Sequence, residues 1–222
     1  MADITGIDEI AGVLERLGKG APKALADAIN HTSNQARQAL RQEMQSVFVS
    51  PTPFTLNAIA VDVARPSDDP EGSVFVKDTA RNGSNTPVDW LKPQVFGGER
   101  AQKASERTLH ALGVLPAGMY TVPGKAARRD SYGNMSRGQI IEMIASLRRS
   151  KNGAKDEKYF VIRRGLDAIG IAQRVGKSVQ VVVAFTKEPN YNSKLKYDEV
   201  VERVADENLE ANVDKAVIRL LS

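Results

Sequence analysis

Three β-rich runs, Tyr159–Arg163, Ala168–Val175 and Val179–Thr186, follow one another with only short turns between them. A parallel pair needs a crossover of a dozen or more residues, usually a helix, so runs this close must pair antiparallel. Gly176 and Lys177 lie between the last two and suit a hairpin turn. Earlier in the chain, Leu56–Val63 and Ser73–Lys77 flank the turn-rich stretch ARPSDDPEG and predict a second antiparallel pair.

Helical periodicity surrounds these strands. Ile7, Ile10, Leu14 and Leu17 recur at three- and four-residue spacing, and Gly18 and Gly20 predict the end of a short first helix. Pro22 suits the first turn of a second, longer helix with Leu25, Ile29, Thr32, Ala36, Leu40 and Val47 along one face. Pro51 and Pro53 forbid its continuation. The stretch Arg81–Gly97, rich in Asn, Gly and Pro around Trp90, is expected to be loop, and Glu99–Leu112 is expected to be helix. Ser136 with Gln139 three residues on predicts a capping box ahead of the apolar stripe Ile140, Ile144 and Leu147. A last helix is expected over Tyr197–Leu221, with Val200, Val204, Ala211 and Val217 sharing a face. The order of elements predicts an α+β fold, in which an antiparallel β-sheet packs with N-terminal, central and C-terminal helices. One domain over residues 1–222 is expected, with a loop-rich arm or insertion at about 81–135.

Composition narrows the chemistry. The absence of cysteine excludes disulfide scaffolds, thiolate metal sites and cysteine nucleophiles. The start carries Asp3, Asp8 and Glu9 where a secretion signal needs a positive segment before an apolar run, so no such signal is expected. The most apolar stretch, Val179–Phe185, falls far short of a membrane span of about 18 residues, and no membrane partner is expected. A net charge of +4 permits acidic partners without demanding them.

No motif carries catalysis. Gly176-Lys177-Ser178 ends like a phosphate-binding loop, but Ile171 stands where that motif needs glycine, and strands flank it on both sides. His31 and His110 lack a second histidine at metal-ligand spacing. Asp68, Asp69 and Glu71 share one turn with Pro66 and Pro70, where acidic residues favour turn geometry. The expectation is therefore no catalytic residue, no bound cofactor and no metal, and a protein that is not an enzyme. Docking chemistry is better represented. Between Gly113 and Arg149 a basic loop with Tyr120, Tyr132, Arg128 and Arg129 leads into the helix containing Arg137. With Phe54 at the PTPF corner and Trp90, these are the candidate interface residues. A second cluster, Arg148, Arg149, Lys151, Lys155 and Lys158, could meet phosphates, so a basic DNA-binding protein with no sequence preference is the alternative of another class.

At SPTPFTLNA (50–58) and at GVLPAGMYTVPGKAARRDSYGNMSRGQI (113–140) the chain resembles tailed-bacteriophage and prophage structural proteins of the minor tail protein Z, or tail-completion, type. The likeness starts at LERLGKGAPKALADAIN and covers most of the chain. It implies a virion neck or tail component, assembled in the bacterial host cytoplasm, that forms a homo-oligomeric ring joining tail to head. Neighbouring neck, adaptor or tail-tube proteins are its implied partners; a tail terminator or head-proximal adaptor is the related alternative. Head-to-tail rings use two different surfaces of each subunit, so the segment Arg81–Arg137 is expected to lie over a neighbour. The hairpin Ala168–Thr186 is the second expected interface, on the premise that it offers an edge strand.

Overall fold

The computed structural model describes residues 7–79, 86–153, 157–187 and 189–222, with side chains from residue 15 onward. The fold is α+β, as the order of elements predicts. The described residues divide into two compact units, one made of the chain up to Lys77 with Leu195–Ser222 and the other of Asp78–Lys194.

The first unit is built on α1, Ile7–Val47, and α6, Tyr197–Leu221. The predicted break at Gly18 and Gly20 is absent: α1 runs unbroken for 41 residues with Pro22 inside it. Packing explains the continuity. A Cβ at Gly20 would collide with the side chain of Leu220, so glycine here admits the end of α6 at close range. Further along, Asn212 Nδ2 donates to Thr32 Oγ1 (2.9 Å) and to Gln35 Oε1 (2.8 Å), and Gln35 Nε2 donates to Asn208 Oδ1 (3.4 Å). Numbers rise along α1 as they fall along α6, so the pair is antiparallel. Small side chains dominate the buried part of α1, with Ala24, Ala28, Thr32, Ser33 and Ala36 ahead of Leu40 and Met44. Leu25, expected inside, is 37% exposed, and on α6 Asn212 is buried where Ala211 was expected.

Thr52 caps a short helix, α2 (Pro53–Leu56), by accepting from the Thr55 amide (3.0 Å), and Pro53 occupies its first position. The strand predicted from Leu56 therefore starts later. β1 (Ile59–Asp62) and β2 (Ser73–Val76) pair antiparallel as expected. Asn30 ties this hairpin to α1 by donating to the Ala64 carbonyl (2.9 Å) and accepting from its amide (2.8 Å). Tyr197 donates its hydroxyl to Val74 O (2.7 Å); burial and the nearby Asp198 push that phenol up to about 12.

The second unit contains α3 (Pro87–Phe96), β3 (Gly98–Glu99), α4 (Ala104–Ala111), β4 (Met119–Pro123), α5 (Arg137–Lys151), β5 (Tyr159–Arg164), β6 (Asp167–Val175), β7 (Ser178–Lys187) and β8 (Asn190–Tyr191). The described part of the supposed loop Arg81–Gly97 is the helix α3. Pro87 sits at its first turn, and Asp89 accepts from both the Thr86 amide (2.7 Å) and hydroxyl (2.9 Å). The four long strands form an antiparallel sheet in the order β4-β7-β6-β5. β4 comes from the segment read as an arm, so residues 119–123 belong to the sheet. Its neighbours Leu109, Val114 and Leu115 pack with Met143, Leu147, Tyr159, Ile171, Val182 and Val183 to form the core. A bulge between β6 and β7 explains how the adjacent Val182 and Val183 are both buried.

Candidate docking surface

The basic segment divides into a buried half and an exposed half. Tyr120, expected to dock, is buried on β4 with the Arg100 guanidinium 4.8 Å from its ring centre. Beside it lies Glu106, whose side chain is fully buried. It accepts from Arg100 Nη1 (2.8 Å) and Nη2 (2.6 Å), from the Lys103 amide (2.7 Å), and from the Thr121 amide (2.8 Å) and hydroxyl (2.9 Å). Burial pushes this carboxyl up, but the Arg100 hydrogen bonds and those from Thr121 and Lys103 outweigh it and hold it at about 2. Glu106 also closes a sheet edge. Along the outer side of β4, the Met119 amide goes to Pro116 O (3.2 Å), the Thr121 amide goes to Glu106, and Pro123 has none to give.

Beyond β4 the chain stays bound to β7, with Gly124 N donating to Val182 O (2.8 Å) and Ala126 N to Val181 O (3.0 Å). It then rises into a closed exposed loop. Gln139, buried at the start of α5, accepts from the Arg128 amide (2.6 Å) and donates to Ala126 O (3.4 Å). The predicted capping box is therefore not made: Ser136 occupies the N-cap without a side-chain hydrogen bond, because Gln139 is used to anchor the loop. The Ser136 amide donates to Arg128 O (2.7 Å) and Arg129 bridges to Met135. Inside the tip, Asp130 Oδ1 accepts from the Tyr132 and Asn134 amides (both 2.9 Å).

This places Arg128, Arg129 and Tyr132 together on an ordered projection, with Tyr132 39% exposed and Arg137 exposed at its base. Arg128 reaches Glu142 Oε2 (2.8 Å), and Arg129 Nη2 donates to Pro123 O (3.3 Å). Trp90 is half-buried on α3 in the same unit, whereas Phe54, 60% exposed on α2, belongs to the other. Sequence reasoning missed Gln139 as the loop anchor, and Asp130 and Glu106 altogether. An aspartate followed by Ser-Tyr-Gly-Asn carries a local turn signal; Glu106 shows only as an acid at a third helical position.

The phosphate-binding candidates are largely engaged within the chain. Arg149 forms a fork with Glu157 (2.7 and 2.8 Å), and Lys158 Nζ reaches Glu142 (2.8 Å). Hydrogen bonds from Arg149, then from Ser146, hold the Glu157 carboxyl at about 2. Lys151 donates to Leu112 O (3.1 Å), Arg148 is exposed, and Lys155 lies outside the described residues.

The hairpin Ala168–Thr186 does not offer an edge: β6 and β7 are both interior strands of the sheet. What it offers is a surface. Along β7, Val179 and Val181 are exposed and, with Gly124, Lys125, Ala126 and Gln180, line a shallow groove of about 650 Å³. Among the described residues no helix is long and apolar enough to cross a membrane, and no group of three or more acidic or histidine side chains could hold a metal ion. No family model, curated protein or solved structure matches the chain.

Proposed function

We propose that this chain is a noncatalytic virion component of the tail-completion or neck type, a homo-oligomeric ring that joins head to tail in a tailed bacteriophage. The reading starts from the resemblance at residues 50–58 and 113–140. The observation that carries it is the pre-ordered loop Arg128–Ser136, anchored by Gln139 and stiffened by Asp130, with Tyr132 and two arginines outward. A loop already fixed in shape loses little entropy on docking, which suits a part that works by geometric fit. Terminator and adaptor roles differ from this in position and not in chemistry.

The geometry weighs against DNA binding. Arg149 and Lys158 are ion-paired within the chain, which lowers the net positive charge this cluster presents to phosphates. Inactivating the gene in its phage and imaging the lysate by negative stain tests the proposal. Unjoined heads and tails are expected; normal infectious particles lacking the polypeptide contradict it.

A further inference from the structure

The groove between Gly124–Ala126 and β7 combines apolar and basic character with an absence of acid. Val179 is 59% exposed and Val181 39%, and Val122 on the neighbouring strand is 43% exposed. The strand register puts Val179, Val181 and Arg174 on one face of the sheet. Lys125 lies in the groove and Lys177 occupies the adjoining turn, both exposed. From Ala168 to Lys187 the sequence contains no aspartate or glutamate.

Helix α6 has the opposite character. It carries seven acidic and three basic side chains. Asp198, Glu202, Asp206, Glu210 and Asp214 recur every fourth residue and are all exposed. They are offset by two residues from the buried Val200, Val204 and Asn212, and so lie on the far side of the helix from α1. Like charges at this spacing each weaken a helix by about 0.2–0.5 kcal/mol, so the stripe is not there for the helix's own stability. Leu209, 37% exposed, sits among them beside Asp206 and Glu210.

We infer that the β7 groove of one copy receives the outer face of α6 from a second copy of the chain. Leu209 meets Val179 and Val181, while Asp206 and Glu210 face Lys125 and Lys177. The contact uses two different surfaces of each subunit, so repetition generates a ring or an open filament and not a two-fold dimer. It follows the helix-in-groove mode of recognition, and it rests on the ring reading above.

A charge exchange in the full chain tests the contact. One variant carries Asp206→Lys with Glu210→Lys, and the other carries Lys125→Glu with Lys177→Glu. Sedimentation velocity across a concentration series is expected to show self-association of each variant weakened at least 100-fold, with an equimolar mixture restoring assembly. Circular dichroism and melting check the fold. Should a reversal unfold the chain, Asp206→Asn with Glu210→Gln serves instead, with an expected loss of about 10-fold. Assembly of the unchanged protein is also expected to weaken as salt rises. If the unchanged chain forms rings and the variants assemble equally well, or the mixture fails to recover, the contact is wrong and the ring reading stands. An unchanged chain that stays monomeric at every concentration overturns both.

Discussion

Glu106 has five hydrogen-bond donors around one fully buried carboxylate. Replacing it by glutamine leaves Arg100 without its counter-charge, and Glu106→Gln is predicted to destabilise the second unit by about 3 kcal/mol in urea titrations. The pH dependence has a definite sign. An ordinary glutamate titrates near about 4.3, whereas Glu106 is held at about 2 when folded. Its contribution is thus complete above the unfolded value and is lost as pH falls from about 5 towards 2. Melting temperatures over that window are predicted to fall more steeply for the unchanged chain than for Glu106→Gln. In the first unit, Asn30→Ala removes both hydrogen bonds to Ala64, with an expected loss of about 1–3 kcal/mol. Such residues are the hardest to read from sequence. A polar side chain whose partners lie 15 or 34 positions away leaves no periodic trace.

At the scale of elements, the strands and the last helix were legible because their signals are local. Alternation with glycine turns marks β5–β7, and α6 shows a clean run bounded by polar residues. Where tertiary packing opposes local preference, sequence reading fails. Gly18, Gly20 and Pro22 each disfavour a helix interior, yet α1 passes through all three with Leu220 packed at Gly20. Pro22→Ala is accordingly predicted to raise the melting temperature of the first unit, since a helix-interior proline costs about 3 kcal/mol relative to alanine. An unchanged or lower melting temperature would mean that the proline ring contributes packing. The prolines and glycines around β4 mask its strand character, so the arm expected at about 81–135 takes in residues that belong to the sheet. Its exposed part is the segment Arg128–Ser136. Asp130→Ala frees the Tyr132 and Asn134 amides, and hydrogen exchange at those positions is predicted to accelerate while the sheet amides stay protected.

At the scale of the whole molecule, each unit has buried apolar residues of its own, and the cluster packed on the sheet, from Leu109 to Val183, is drawn wholly from the second. A fragment covering residues 78–194 is therefore predicted to fold alone, with one cooperative transition and the far-ultraviolet signature of its sheet. A fragment that remains unfolded would contradict that division. The proposed neck role is tested most directly by a density map of the head-to-tail junction of phage particles produced by the genome that carries the gene. A ring of copies at that junction is the expected result, with the Arg128–Ser136 loop of each against a neighbour. A junction without this polypeptide, or copies located elsewhere in the particle, would contradict it.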